Sequence, residues 1–433
     1  MKELFKQLIV DFHKREIPVP MQRDIPSFNL PDKLHKAFTL IGMRRSGKTW
    51  TLFQKMRQLF DEGVERERVI YINFEDDRLL GMSLNDMASI LDAFYELYPG
   101  LIKEGDLYLF FDEIHSVQGW ESFIRRMLDN EPYKIYLTGS SAKMLSKEIA
   151  TSLRGRTLVR EIFPYSFREY LRHIGEECDA TLSTKEKAVL KSNLNNYLLV
   201  GGFPEVVGVD ESLHREVLQG YVETVIYRDI VERYDVSNVQ VLRKLLVHCL
   251  QNPASSFSVN KMYNMLKSQG YAVSKNSLYD FMKYFEDAYC LFSVPAFNLS
   301  GKKASMIPCK IYPVDPGLIK AYSVERNFQH WSALESAVFS ALRQKERQIN
   351  YFITETGQEV DFLTTSDEGV RQLYQVSMSL KDEDTRKREV VALQRAMKEM
   401  GLKETCIITM DEEGVFEVQE GKISVVPLWK FLL

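Results

Sequence analysis

The amino-acid sequence predicts an α/β protein whose N-terminal part is built on a parallel sheet. Apolar runs of strand length alternate with helical stretches over residues 36–164, and the runs cover residues 37–41, 69–73, 107–111 and 134–137. Strands that alternate with helices are typical of parallel α/β sheets. Segments rich in glycine, carboxylates or hydroxyls follow three of these runs directly, and they hold the candidate functional residues.

The pattern divides the 433 residues into five segments, which is compatible with about three domains of ordinary size. Residues 1–35 predict a short helix and a loop that contains four prolines. The α/β core follows at 36–165, and a mostly helical segment at 166–235 is interrupted by Gly201 and Gly202. Residues 236–324 predict short helices and then aromatic strands, and residues 325–433 return to a mixed α/β pattern.

Composition excludes several classes of protein. Apolar residues make up 45% of the chain, so it is neither disordered nor collagen-like. With 56 basic and 60 acidic residues the net charge is −4, which excludes a wholly basic nucleic-acid binder but not a local basic patch. The 25 phenylalanines and 21 tyrosines are enough for several sizeable cores.

Cysteine spacing and hydropathy favour a cytoplasmic protein. The five cysteines are odd in number and none belongs to a CxxC pair, so neither a disulfide framework nor a zinc site is predicted. The N-terminus carries charge throughout and has no signal-peptide core. The longest apolar runs are far shorter than the ~20 residues that span a bilayer, so we expect a soluble protein without membrane contact.

The strongest motif is a glycine-rich loop over residues 42–49, GMRRSGKT, which lies between an apolar run and a helical stretch. It matches G-x-x-x-x-G-K-[ST], the phosphate-binding P-loop, in the context that this loop requires. Successive backbone N–H groups and the helix N-terminus would bind phosphate oxygens. Lys48 would reach the β- and γ-phosphates and the Thr49 hydroxyl would bind Mg²⁺. A chance match is the alternative, and the flanking strand and helix disfavour it.

The loop predicts ATP and Mg²⁺ as ligands. The residues expected to contact the nucleotide are Gly42, Arg44, Arg45, Ser46, Gly47, Lys48, Thr49 and Trp50.

Two carboxylates follow the run at residues 107–111. Asp112 is expected to bind Mg²⁺, directly or through water, together with Thr49. Glu113 is expected to orient or deprotonate the attacking water. The alternative is a strand that ends in solvated acids, and the P-loop some sixty residues earlier makes the functional interpretation the stronger one.

Two further groups are candidates for contact with the transferred phosphoryl group. The run at 134–137 ends in hydroxyl residues, and Thr138, Ser140 or Ser141 would contact the γ-phosphate or the attacking water. Of these, Ser140 is the residue that we expect to be catalytic. The alternative is a turn with a helix N-cap. Arg154 and Arg156 would stabilise the charge of the phosphoryl group, in cis or from a neighbouring subunit, or they are surface arginines.

Several motifs in order resemble the ATPase domain of prokaryotic AAA-type proteins, which are related to the STAND group of signalling NTPases. They are GMRRSGKT, FFDEIHSVQGWE, YLTGSSAKML, LRGR and FPYSFREYL. The remaining chain resembles the region known as domain of unknown function 4143, through GGFPEV, YRDIVERY, KIYPVDPGL, ALESAVF and QEVDFL. The resemblance implies a P-loop AAA-type ATPase core, a helical lid, a winged helix and a C-terminal restriction-endonuclease-like α/β domain.

Residues 241–310 are compatible with the implied winged helix. Residues 258–269 and 274–284 predict two helices, and residues 289–297 could form the strands of the wing. The segment holds nine basic and three acidic residues, a local charge of +6 in a chain of net charge −4. Local basicity beside a helix-turn-helix pattern favours contact with double-stranded DNA. The alternative is a winged helix that docks a protein partner.

The tail resembles restriction-endonuclease-like domains, which place a helix glutamate, a strand aspartate and an E-x-K motif around Mg²⁺. Glu335 and Asp361 match the first two positions, but Gln375 and Ser377 stand where the E-x-K pair is expected. We therefore expect a nuclease-like fold without nuclease activity, although Lys381 could swing back to the site. The alternative for Asp361 is an acid that supports the fold.

The leading hypothesis is an ATP-hydrolysing switch, monomeric or homo-oligomeric, that couples to DNA or to a protein. An ATP-gated, metal-dependent nuclease is the second, and the missing E-x-K disfavours it. An ATP-binding regulatory scaffold with little turnover is the third, and Glu113 disfavours it.

Overall fold

The computed structural model describes residues 1–25, 28, 31, 34–103, 106–139, 153–176, 182–297, 308–323, 330–345 and 348–433. The chain forms two compact units, Met1–Phe163 and Pro164–Leu433. The first unit ends close to the predicted limit of the α/β core and also includes the N-terminal helix. The predicted boundaries inside the second unit stay predictions.

The first unit is a parallel five-stranded sheet with the order β2-β3-β4-β1-β5. Its strands are β1 (Ala37–Ile41), β2 (Val69–Asn73), β3 (Tyr108–Asp112), β4 (Lys134–Thr138) and β5 (Thr157–Glu161). Its α-helices are α1 (Lys2–Lys14), α2 (Lys48–Asp61), α3 (Leu84–Met87), α4 (Ser89–Leu97) and α5 (Trp120–Asn130). The parallel α/β architecture is confirmed, and the fifth strand, which the sequence did not predict, pairs with β1 at the edge of the sheet.

An aromatic stack fixes the helix that follows the glycine-rich loop. The rings of Phe110 and Tyr136, on β3 and β4, stack with centroids 4.5 Å apart, and Phe38 of β1 stacks on Tyr136 at 5.7 Å. Leu52 and Met56 of α2 are buried against this face of the sheet. Because α2 is apolar on one side only, its packing sets the direction in which its N-terminus points.

The second unit combines helices with two sheets. The sheets are a three-stranded antiparallel one, β6-β9-β7, and a seven-stranded mixed one, β14-β15-β13-β12-β11-β10-β8. The strands are β6 (Ser256–Phe257), β7 (Leu291–Val294), β8 (Ala296–Phe297), β9 (Cys309–Pro313), β10 (Gln348–Ile353), β11 (Glu359–Thr365), β12 (Arg371–Ser377), β13 (Glu404–Thr409), β14 (Gly414–Val418) and β15 (Gly421–Pro427).

The second unit contains α-helices along its whole length, and those before residue 235 cover most of segment 166–235, which was predicted as helical. They are α6 (Phe167–His173), α7 (Thr184–Val200), α8 (Glu211–Thr224), α9 (Glu232–Tyr234), α10 (Val239–Gln251), α11 (Val259–Ser268), α12 (Lys275–Asp287), α13 (Gly317–Tyr322), α14 (His330–Lys345), α15 (Glu383–Met400) and α16 (Leu428–Leu432). A π-helical segment, Val225–Val231, connects α8 to α9.

One expectation about strands was wrong. Residues 289–297 were expected to supply the strands of a wing, but only β7 belongs to the small sheet, where it pairs with β9. β8 pairs in parallel with β10 of the mixed sheet instead. Pro295 separates β7 from β8, and its carbonyl accepts a hydrogen bond from Tyr351 N of β10 at 3.1 Å, which turns the chain into the second sheet.

A buried aspartate connects two segments that are more than a hundred residues apart. Asp315 accepts hydrogen bonds from Gly202 N at 2.7 Å and from Gly317 N at 2.9 Å. A side chain at Gly201 would place Cβ 1.8 Å from Asp315 Oδ1, and Gly201 has a φ of +79°, so this position requires glycine. Burial raises the pKa of Asp315 to about 7, although both N–H donors favour its charged form.

We expect Asp315→Ala to destabilise the second unit, because two buried N–H groups lose their acceptor at a cost of about 1–3 kcal/mol each. The pKa of Asp315 is about 7 in the folded state and about 3.9 when unfolded. The stabilisation that comes from tighter proton binding by folded Asp315 is therefore fully present below about pH 4, and it is lost as the pH rises through about 7. Urea unfolding at several pH values measures both effects, with the exposed Asp210→Ala as control. Equal destabilisation in the two variants would contradict this role.

Candidate functional site

The glycine-rich loop leaves the end of β1 and enters α2 in a conformation that glycine permits. Gly42 has a φ of +151° and Gly47 a φ of +100°, and Arg45 between them is also left-handed at +68°. A Cβ at Gly42 would lie 2.1 Å from the carbonyl oxygen of Ile162, so the loop can pass this close to the chain after β5 only with glycine. The result is a tight backbone curve at the N-terminus of a 14-residue helix.

Lys48 is almost fully buried, and its ammonium lies inside this curve. Its Nζ donates to the carbonyl oxygens of Gly42 at 3.1 Å and Met43 at 3.2 Å. Ser46 is fully buried, and its hydroxyl has no hydrogen-bond partner among the described residues. A positive charge, an unsatisfied hydroxyl and a helix N-terminus in one loop form a site suited to a phosphate group.

The carboxylate of Asp112 is buried and held by hydrogen bonds. It is 1% exposed and accepts hydrogen bonds from three hydroxyls, those of Thr49, Tyr71 at 2.9 Å, and Thr138. Burial raises the pKa of Asp112, and the three hydroxyls counteract this shift. The hydroxyl of Thr49 and the carboxylate of Asp112 are therefore in contact, and hydroxyl and carboxylate oxygens are ligands that Mg²⁺ accepts. The donor set fits this ion.

Glu113 follows Asp112 in a left-handed conformation, with a φ of +51°. Its backbone N–H donates to Thr138 Oγ1 at 2.9 Å, and its Oε2 lies 3.2 Å from Nδ1 of His115. Burial raises the pKa of Glu113 to about 7, Lys48 opposes this shift, and Asp112 adds to it. A carboxyl group with a pKa close to neutral is suited to exchange a proton with water.

Glu113 also belongs to a group of three side chains that could bind a metal ion. Ligand atoms of Glu75, Glu113 and His115 are within 4.8 Å of one another, the one such group among the described residues. Glu75 also lies 3.6 Å from Nη1 of Arg44. Because Mg²⁺ prefers oxygen ligands, the oxygens of Thr49 and Asp112 suit it better than this group, which contains an imidazole.

Arg23 is a site residue that no sequence motif indicated. It is 8% exposed, and it donates to the carbonyl oxygen of Ser46 at 2.9 Å and to that of Phe163 at 2.7 Å. Its backbone exchanges hydrogen bonds with the side chain of Gln54 on α2. The guanidinium therefore connects the glycine-rich loop to the chain beyond β5.

The other expected nucleotide contacts lie at the rim of the loop. Trp50 is 49% exposed in the first turn of α2, and its ring meets Phe53 edge-on at 6.0 Å. The side chain of Arg45 is exposed. Thr138 is engaged by both acids of the site, while Ser140 and Ser141 lie outside the described residues.

The structure contradicts one role expected for Arg154 and Arg156. Both precede β5, and Arg156 O accepts from Ala37 N, the first residue of β1. The glycine-rich loop follows the last residue of β1, so in a parallel sheet these arginines lie at the opposite edge. Arg156 pairs there with Asp129 at 2.7 Å. An action in cis is therefore wrong, and an action on a neighbouring subunit stays a prediction.

In the second unit, the acids expected from the tail do come together. Glu335 of α14 and Asp361 of β11 are both bound by the ammonium of Lys310, at 3.2 and 2.8 Å. Gln375 lies beside them, and Lys381 is exposed. No sequence motif indicated Lys310 for this site, because it comes 51 residues before Asp361, on β9.

The basic residues of segment 241–310 differ in their exposure to solvent. Lys310 is buried, and Lys302 and Lys303 lie outside the described residues. The remaining six are exposed: Arg243, Lys244, Lys261, Lys267, Lys275 and Lys283.

Among the residues that the structure describes, no helix combines the length and the apolar character that crossing a bilayer requires.

Two family models match this chain, one mostly in the first unit and one in the second. Residues 34–171 match the AAA domain model AAA_14, and residues 191–328 match Domain of unknown function DUF8612. The second match differs from the expected domain of unknown function 4143, a label that the comparisons do not support. The chain is also similar to a solved structure, the Walker-type ATPase PABY2304 of Pyrococcus abyssi, with 12% identity, a TM-score of 0.42 and coverage of 74% of this chain and 95% of that one. A likeness of this size carries no information on function.

Two curated proteins match at higher sequence identity. An uncharacterized protein of Haemophilus influenzae is 27% identical over 322 residues, 74% of this chain and 78% of that protein. Uncharacterized protein MJ1544 of Methanocaldococcus jannaschii is 35% identical over an alignment that covers 100% of this chain and 96% of that protein. The chain therefore belongs to the same family as MJ1544 and carries an AAA domain at its N-terminal end.

Proposed function

We propose that the first unit binds ATP with Mg²⁺ and hydrolyses it, and that the protein works as an ATP-dependent switch. The observation that carries the proposal is the contact between the Thr49 hydroxyl and the Asp112 carboxylate, with Lys48 in the loop and Glu113 next in the chain. An AAA domain supports nucleotide binding. Glu113 favours hydrolysis over a scaffold that only binds ATP.

Each residue has a separate task in this proposal. Loop N–H groups and Lys48 hold the phosphates and stabilise their charge. Thr49 and Asp112 hold Mg²⁺, which would neutralise charge on the phosphate oxygens. Glu113 orients the water and takes its proton, and the hydrogen bond from Glu113 N to Thr138 keeps the carboxylate at the end of β3.

Lys48→Ala and Glu113→Gln should separate binding from hydrolysis. Lys48→Ala removes the cation in the loop, and we expect nucleotide binding to be abolished. Glu113→Gln keeps the size of the side chain, so we expect ATP affinity close to wild type and turnover lower by about 10²-fold or more. Titration with a fluorescent ATP analogue and phosphate release measure the two effects.

The matched control for these two variants is Lys36→Ala, at the opposite end of β1, which should change neither binding nor turnover. Equal loss of binding in Lys48→Ala and Glu113→Gln would contradict the assigned roles.

Arg23→Ala should weaken ATP binding although Arg23 has no task at the phosphates, because the carbonyl of Ser46 loses its donor and the loop loses a fixed conformation. Losing a buried donor costs about 1–3 kcal/mol, so the rise in Kd is at most roughly 150-fold, reached if the whole cost falls on the ATP-bound conformation of the loop. Arg57→Ala is the matched control, since this arginine lies more than two turns along α2 from Lys48. If Arg23→Ala binds ATP as wild type does, the loop is held by other contacts.

We further propose that α10–α12 with β6, β7 and β9 form a winged helix that binds double-stranded DNA. The order helix, strand, helix, helix, strand, strand supports this fold. Lys275, Tyr279 and Lys283 are exposed and repeat every four residues, so they share one face of α12. Tyr263 of α11 lies within 5.5 Å of the ammonium groups of Lys267 and Lys275, which extends this face. A face of lysines and tyrosines suits a phosphate backbone better than an apolar protein partner.

Affinity for DNA should fall along a straight line of log Kd against log salt concentration, because binding to phosphates releases counterions. Replacing Lys267, Lys275 and Lys283 by Glu should weaken binding to all sequences and reduce the slope by about 0.9 for each phosphate that the variant no longer neutralises. Fluorescence anisotropy with DNA duplexes measures both, and Lys430→Glu is the control. A wild type without affinity for DNA at low salt would indicate that this face docks a protein.

We also propose that residues 166–235 form a helical lid and that the tail is a restriction-endonuclease-like domain without nuclease activity. The order of α14, β10, β11, β12, α15 and β13, with β12 and β13 parallel, supports this fold. A nuclease gated by ATP is disfavoured because Gln375 and Ser377 replace the expected acid and lysine.

A further inference from the structure

The tail contains a buried cluster of charges that the proposed ATPase does not use. Lys310 Nζ lies 2.8 Å from Asp361 Oδ1, 2.8 Å from Glu359 Oε1 and 3.2 Å from Glu335 Oε1. The side chains of Lys310, Glu335 and Asp361 are 5%, 8% and 10% exposed, whereas that of Glu359 is 41% exposed. One ammonium is therefore surrounded by three carboxylates, two of them away from water.

The oxygens of the two buried carboxylates have further partners within the protein. Tyr312 donates its hydroxyl hydrogen to Glu335 Oε1 at 2.7 Å, and Val376 N donates to Asp361 Oδ2 at 2.9 Å. Burial would lower the pKa of Lys310, but the charges of Asp361, Glu335 and Glu359 outweigh it and raise this pKa above its usual range. The lysine is thus held in its charged form. Its three N–H donors are enough for one hydrogen bond to each of the three acids.

Gln375 supports this closed arrangement. Its Oε1 accepts from Asp361 N at 3.3 Å, and its Nε2 donates to Glu389 Oε2 at 2.8 Å. A glutamate at this position would bring a further negative charge beside Asp361 and Glu389. The amide instead binds an N–H group on one side and a carboxylate on the other, so the position is satisfied without a cation.

With Lys310 in place, the acids are arranged around an ammonium and not around a divalent ion. The three carboxylate oxygens stand 2.8–3.2 Å from Nζ, which is the length of an N–H···O hydrogen bond. In the part of the chain that the structure describes, the tail contains no group of three acidic or histidine ligand atoms within 4.8 Å of one another.

We propose that the Lys310 ammonium permanently occupies this carboxylate cluster in place of a divalent cation. Lys310 belongs to β9 of the three-stranded sheet, while Asp361 belongs to β11 of the mixed sheet, so the cluster fastens one sheet to the other. The cluster is a closed ion-pair site that binds neither Mg²⁺ nor Mn²⁺ as long as Lys310 is in place.

Two consequences follow for a protein without this ammonium. The buried carboxylates lose their counter-ion, and breaking a buried pair from one side is strongly destabilising. The vacated volume is lined by carboxylates, so a divalent cation can enter and restore the missing charge. The same substitution should thus lower stability and create metal dependence.

The test compares wild type, Lys310→Met, Lys310→Met/Asp361→Asn and the surface control Lys430→Met, all without nucleotide. Thermal unfolding is followed with and without MnCl₂. We expect Lys310→Met to unfold several degrees below wild type, Mn²⁺ to restore part of this loss, and the restoration to disappear in the double variant. Lys430→Met, which breaks an exposed pair with Glu413, should behave as wild type. Unchanged stability in Lys310→Met would overturn the proposal.

A second measurement does not depend on the folding of Lys310→Met. Calorimetric titration of MnCl₂ into wild type and into Asp361→Asn should give the same heat, because the cluster takes no metal while Lys310 fills it. A Mn²⁺ site in wild type that is lost in Asp361→Asn would show that the cluster is open to metal and would overturn the proposal.

Discussion

The buried carboxylate of Asp112 is the interaction on which the arrangement of the first unit depends. A carboxylate that leaves water must be hydrogen-bonded or neutralised, and hydroxyls from α2, β2 and β4 do this here. The hydrogen bonds to this one carboxylate therefore fix the helix after the glycine-rich loop against the central strands. The next residue, Glu113, shares the Thr138 hydroxyl, so the same network places both acids.

The second unit also uses buried charge to join distant segments. Asp315 holds the end of α7 through Gly202 N, and Lys310 holds α14 and β11 through Glu335 and Asp361. In both cases the buried group has specific partners on segments that are distant in sequence. Such contacts specify which segments meet, whereas the apolar cores around them supply most of the stability.

Features that are local in sequence could be predicted, and features that need a distant partner could not. The P-loop and the two acids at the end of β3 were predicted because each occupies a few adjacent residues. Arg23 was missed because its partners, Ser46 and Phe163, lie 23 and 140 residues away. β5 was missed because its half-exposed edge position leaves no apolar run. The position of Arg156 was misjudged because only the direction of β5 decides at which end of the sheet it lies.

The left-handed backbone at Glu113 has an evolutionary consequence. A residue with a side chain is disfavoured in this region by about 1–2 kcal/mol, and glycine or asparagine adopts it more easily. Random drift would therefore replace a dispensable glutamate here with a residue that relaxes the turn. In a lineage that abandoned turnover, glycine or asparagine at this position would relax the turn, which makes the identity of one residue a marker of whether a descendant still consumes its nucleotide.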